Sequence, residues 1–193
     1  MTDLTHVFDN FTHRLSEHVP TSEAGVREIL AASFREAMAL RPADVEVESA
    51  LGRKRIDIWV APVMAAIELK YFREIPSGAN RPMTADFGSL LADLRKLATV
   101  ERAEDRVLVL VSNVSGMTHL ANKNLLPVRL VEPKLISAEA VSVLAQSARG
   151  PAVSQGPWIP IEVRRIWHEP RVGNGLTGLA WKVRTTNGES PIG

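Results

Sequence analysis

The chain contains no cysteine. That absence removes disulfide scaffolds, thiol nucleophiles and cysteine-ligated zinc from the possible chemistries, and it fits a reducing cytosol. No apolar run approaches the length needed to span a bilayer. The opening MTDLTHVFDNF carries acids at Asp3 and Asp9 and is not the pattern of a secretory signal. These features predict a soluble, cytoplasmic protein with no membrane partner. Gly-x-x-x-x-Gly-Lys and Gly-x-Ser-x-Gly are both missing, so phosphate-loop ATPases and serine hydrolases have no support. Repeats and low-complexity tracts are also lacking.

What is present is ordinary for a globular domain: 193 residues, 45% hydrophobic and 23% charged. The net charge of +1 hides an asymmetry, because residues 1–50 hold nine acids against four Lys/Arg, whereas the remainder holds nineteen Lys/Arg against thirteen acids. Such a division is compatible with a polyanion on one face and equally with solvated surfaces.

Hydrophobic spacing organises the chain. Leu4, Val7, Phe8, Phe11 and Leu15 predict an amphipathic helix over 3–17. After Pro20-Thr21-Ser22, a break and N-cap, Val26, Ile29, Leu30, Phe34, Ala37 and Met38 predict a second helix ending before Pro42. Val45–Glu48, Arg55–Val60 and Ala65–Phe72 alternate as strands. A loop marked by Pro76 and Pro82 leads to a third helix capped by Thr84, with the stripe Phe87, Leu90, Leu91, Leu94, Leu97 and Ala98. Val107–Val111 reads as a strand covered on both faces. Helices are expected over 116–126 and 137–148, with a short strand at Val128–Val131 between them. Two strands, Trp158–Trp167 and Leu179–Thr185, flank Gly173-Asn174-Gly175. The expectation is an α/β core over residues 1–149 and a β-rich extension, a hairpin over 150–193, packed on the same domain.

A hairpin centred on Pro62-Val63 puts Asp57 opposite Glu68 and Arg55 opposite Lys70. Opposed side chains project to one face with Cβ atoms about 5 Å apart. Ile56, Ile58, Ile67, Leu69 and Tyr71 are then expected on the other face, against the core. Two opposed carboxylates repel unless something neutralises them, and a hard divalent cation such as Mg²⁺ does so while keeping waters and phosphate oxygens. Lys70 points into the same space, where an ammonium orients or helps deprotonate a water and offsets charge on a phosphate. The competing reading is a surface strand with solvated charges and Arg–Asp pairing. A second Glu-x-Lys, Glu132-Pro133-Lys134, has no upstream acidic partner on a neighbouring strand.

The run Arg55-Ile56-Asp57-Ile58 followed by Ile67-Glu68-Leu69-Lys70-Tyr71 resembles the PD-(D/E)XK nuclease superfamily, the restriction-endonuclease-like fold. The resemblance covers residues 20–115, a helix, a three-strand meander, a helix and an apolar strand, with Ile56 standing where the family name has Pro. It implies a mixed-sheet core flanked by helices and hydrolysis of DNA with Mg²⁺ or Mn²⁺. The implied metal ligands are Asp57, Glu68 and the Leu69 backbone carbonyl, with Lys70 activating water. Many members add an acid from the preceding helix. Glu23 flanks the apolar stripe of that helix and Glu28 points away from it, and Glu23-Ala24-Gly25-Val26-Arg27 matches the favoured surroundings, so Glu23 is the candidate. Cutting both strands suits a homodimer. The alternatives are a catalytically silent nucleic-acid-binding module and a regulatory or structural protein of the same fold.

Arg53 and Arg55, expected on the face of Asp57, either meet phosphates or balance the acids. His6, His13 and His18 follow no familiar metal-ligand order and read as surface residues. Trp158, Trp167 and Trp181, with Arg164, Arg165, Arg171, Lys182 and Arg184, form either a stacking platform for bases or an anchor of the hairpin to the core.

Overall fold

The computed structural model describes residues 3–18, 20–72, 83–113, 116–118, 133–140, 159–172 and 175–186. The loop between Pro76 and Pro82, the Phe87 side chain, Val128–Val131, Glu132, Trp158 and most of 116–126 and 137–148 lie outside the described residues.

Two helices open the chain, α1 (Thr5–Glu17) and α2 (Glu23–Ala37). The apolar stripe of α1, from Leu4 to Leu15, is buried, and Ser22 caps α2 by accepting the Gly25 N–H. Strands β1 (Val45–Leu51), β2 (Lys54–Val60) and β3 (Ala65–Phe72) follow as an antiparallel meander. Helix α3 (Met83–Ala98) then crosses to β4 (Asp105–Asn113), which runs parallel to β3. The helix opens at Met83, one residue before Thr84, the cap expected from the sequence. Among the described residues, the short β5 (Lys134–Ile136), β6 (Ile161–Glu169) and β7 (Leu176–Thr185) complete one seven-stranded mixed sheet in the order β1-β2-β3-β4-β7-β6-β5. No described helix is long and apolar enough to cross a membrane.

The sheet has two apolar faces. Ile58, Val60, Ile67, Leu69, Val107, Val109 and Val111 pack beneath α1 and α2, and Trp59, Ala66, Leu108, Leu110 and Trp181 pack beneath α3. Leu91, Leu94 and Leu97 of α3 are fully buried, each contributing about 1.5–3 kcal/mol of transfer free energy. Ile56 departs from the expected alternation and joins the α3 face. The disturbance sits beside it. The β1–β2 pairing runs to Val47↔Ile58 and resumes at Ser49↔Ile56, and between them Glu48 turns to φ 55. That left-handed conformation is costly for a residue with a Cβ.

Trp167 and Trp181 are anchors. Trp181 is fully buried, and Trp167 stacks on Phe8 of α1 with ring centroids 5.0 Å apart. Lys182 is likewise buried, 3.1 Å from Asp105.

Candidate metal centre

The β2–β3 ladder keeps the register of a hairpin centred on Pro62-Val63, but it contains only Ile58↔Ile67, Trp59↔Ala66 and Val60↔Ala65. Beyond Ile58 the next rung is taken by a side chain, because the Leu69 N–H donates to Asp57 Oδ2 at 2.9 Å. The two strands part here, and residues from both layers of helices reach the gap. Arg55 therefore does not face Lys70 as expected; it pairs with Glu48 on β1. Arg53 lies exposed in the β1–β2 turn rather than on a strand face.

Glu68 points toward α3 and is 1% exposed. Lys96 Nζ lies 2.6 Å from Glu68 Oε2 and 3.6 Å from Asp93 Oδ1. Lys70 Nζ lies 2.9 Å from Asp93 Oδ2 and 3.9 Å from Glu23 Oε1. Both Glu68 oxygens and Asp93 Oδ2 are buried; the lysine ammonium groups meet Glu68 Oε2 and Asp93 Oδ2, and Glu68 Oε1 has no hydrogen-bond partner. Glu23 Oε2 accepts the Tyr71 N–H at 3.3 Å, which ties the first turn of α2 to the end of β3, whereas Glu28 is exposed. Arg27 joins Glu48 at 2.7 Å to Asp57 at 3.4 Å.

The electrostatics follow from burial. Desolvation, reinforced by Asp93 and Asp57 and opposed by Lys96, pushes the Glu68 carboxyl from its usual 4.5 up to about 9. Burial also raises Asp93, against the pull of Lys70 and Lys96. For Lys70, burial pulls the ammonium down, but Asp93, Glu23 and Asp57 together outweigh it and the net shift is upward. Lys70 thus holds its proton firmly at neutral pH.

Asp57, Glu68 and Asp93 supply the carboxylate oxygens a hard divalent cation takes. As arranged, no three His, Cys, Asp or Glu side chains among the described residues converge closely enough to hold an ion. Lys96 and Lys70 stand among the acids instead. Sequence reasoning missed Asp93 and Lys96. Asp93 follows Leu90 by one turn and precedes Leu97 by another, a polar position at the edge of an apolar stripe, which was the available signal.

No family model matches the chain, and neither a curated protein nor a solved structure matches it significantly.

Proposed function

We propose that the protein is a Mg²⁺- or Mn²⁺-dependent nuclease of the restriction-endonuclease-like type that hydrolyses phosphodiester bonds of DNA. The observation that carries this reading is Glu68, a carboxylate 1% exposed that meets Lys96 through Oε2 and leaves Oε1 without a hydrogen bond, near the point where Asp57 ends the β2–β3 ladder. A buried ion pair can often be replaced by apolar groups at no cost, so a purely structural site has little reason to keep this one. The resemblance of Arg55–Ile58 and Ile67–Tyr71 to the PD-(D/E)XK superfamily supports the same chemistry.

Asp57, Glu68 and the Leu69 carbonyl would hold the ion. When bound, the metal polarises a phosphate oxygen and lowers the pKa of its water. Asp93 and Glu23 hold the Lys70 ammonium in place. Because those acids raise its proton affinity, Lys70 suits electrostatic stabilisation of charge growing on the phosphate better than removal of a proton from water. Arg27 fixes Asp57 from the α2 side, and Arg53, exposed at the turn, is available to a DNA backbone.

The contact between Lys96 and Glu68 favours one other reading, a silent nucleic-acid-binding module in which an ammonium permanently neutralises the acid. Incubation with plasmid, linear and single-stranded DNA in Mg²⁺, Mn²⁺ or EDTA separates the two. Metal-dependent cleavage, abolished by EDTA, is expected. Pure protein that binds DNA and cuts none of these substrates supports the silent module.

A further inference from the structure

The β6–β7 pair gathers cations on the sheet face away from Glu68. Its register sets Glu162 opposite Arg184 and Arg164 opposite Lys182, so these four side chains share one face. Lys182 lies in register with Val107, which packs beneath α1 and α2, whereas Glu68 lies in register with Leu108 beneath α3. Like charges directly opposed on neighbouring strands destabilise the pair. Lys182 is buried and answered by Asp105 at 3.1 Å. Arg164 is exposed, and among the described residues no acid pairs with it.

These side chains line a cavity of about 660 Å³ beside the start of α1. Four cations, Arg164, Arg165, Lys182 and Arg184, meet two acids there, Asp3 and Glu162. Asp3 is already engaged, since its Oδ1 accepts both the N–H and the hydroxyl of Thr5. The strand β6 is irregular between Arg165 and Trp167, and the consecutive residues Arg165 and Ile166 both line the cavity. A bulge of that kind re-aims a side chain that regular alternation sends to the opposite face. Leu4 and Ile166 add an apolar wall. The volume lies within the range of small-ligand pockets, about 300–1,000 Å³, and so does the mixture of apolar wall and convergent polar groups. Guanidinium forks match phosphate oxygens two at a time, and a lysine adds a point charge.

We infer that this cavity binds a small organic phosphate of nucleotide size, with its phosphates on Arg164, Arg184 and Lys182 and its organic part against Leu4 and Ile166. The bound anion relieves the opposition of Arg164 to Lys182, while Asp105 keeps the Lys182 ammonium in place. The site lies on the other face of the sheet from Glu68 and does not depend on the nuclease reading.

Calorimetric titration of the full chain in EDTA tests it, with ATP as the nucleotide, inorganic tripolyphosphate for the phosphates alone and adenosine for the organic part alone. ATP should bind once per chain, tripolyphosphate should compete with it, and adenosine should not displace it. Arg164→Gln and Arg184→Gln should each weaken ATP binding by roughly ten-fold or more, the scale of one lost charge-assisted hydrogen bond. Arg164→Lys should keep part of the affinity. Arg171→Gln, exposed beyond the end of β6 and outside the cavity, should leave it unchanged. The exposed arginines are varied rather than Lys182, whose loss would leave Asp105 buried and unpaired, and melting temperatures confirm that the variants fold. No ATP binding at millimolar concentration, equal affinity in wild type and both glutamine variants, or tripolyphosphate that fails to compete overturns the phosphate site. Single-stranded DNA that loses affinity in both glutamine variants while ATP never displaces it assigns the cations to a polymer backbone and overturns the small-ligand site.

Discussion

The Leu69 N–H donates to Asp57 Oδ2 across 2.9 Å, so a carboxylate occupies the rung where the β2–β3 ladder stops. Asp57 thereby holds the end of the hairpin together and keeps one oxygen, Oδ1, facing Arg27. Its removal should affect metal linkage more than fold. At roughly a hundred times its dissociation constant, an ion that binds only the folded chain adds about 2.7 kcal/mol. In a domain of this size that is worth on the order of 5–10 °C. Millimolar Mn²⁺ should raise the melting temperature of wild type by such an amount and that of Asp57→Asn by little. Equal increases in the two proteins would place the metal elsewhere.

Stability of the metal-free protein should fall as pH rises. Between the ordinary 4.5 and about 9, folded Glu68 keeps a proton that the unfolded chain has already released. The unfolded state therefore binds fewer protons across this window, and stability declines through it. Asp93, also shifted upward, acts in the same direction just above its own ordinary range. Thermal unfolding in EDTA at several pH values between about 5 and 9 should show a falling midpoint, and Glu68→Gln should flatten the slope. A midpoint that climbs over that range contradicts this account.

Lys70→Ala should lower cleavage by roughly 10²–10³-fold, the usual scale for losing one transition-state charge partner. DNA affinity should change by no more than one lost phosphate contact. Arg53→Ala should do the reverse, weakening binding in a salt-dependent manner with little change in saturated turnover. Filter binding and single-turnover cleavage distinguish these effects. If Lys70→Ala lost affinity and activity in parallel, its role would be binding.

Glu23→Gln should reduce cleavage or Mn²⁺ affinity by roughly ten- to a hundred-fold, as expected for a group that orients a functional neighbour. Glu23 contacts Lys70 and the Tyr71 N–H, whereas Glu28 is exposed on the far side of α2. Glu28→Gln should leave both properties unchanged. Damage from the second substitution and none from the first would invalidate this assignment.

Gly178→Ala probes β7, two strands from β3 in the sheet. A Cβ at that position would lie 2.0 Å from Trp167 Cη2, and the ring cannot retreat freely because Phe8 and Phe11 pack against it. The variant should lose about 1–3 kcal/mol, the ordinary cost of overpacking. Urea unfolding followed by tryptophan fluorescence measures it, and a variant as stable as wild type would show that Trp167 moves easily.

Much of this architecture was legible because the pattern was local. Alternation in Ala65–Phe72 delimits β3, the Ser22 cap marks the start of α2, and Ala61-Pro62-Val63 implies the register in which Ile58 meets Ile67. Interruptions of pattern were not legible. Glu48 turns left-handed and Ile56, across from Ser49, joins the α3 face, and nothing in Val-Glu-Ser announces either. The three-residue β5 is too short to display a period, and its Leu135 is exposed. Asp93 and Lys96 read as the solvated flank of α3, and only the approach of β3 beneath that flank turns them inward toward Glu68.

From Val107 to Val111 every side chain of β4 is buried, with valines beneath α1 and α2 and leucines beneath α3. Glu68 pairs in register with Leu108, so its rear is a dry hydrocarbon wall. Charge placed on Glu68 is therefore answered from α3, by Lys96, and not by water on that side.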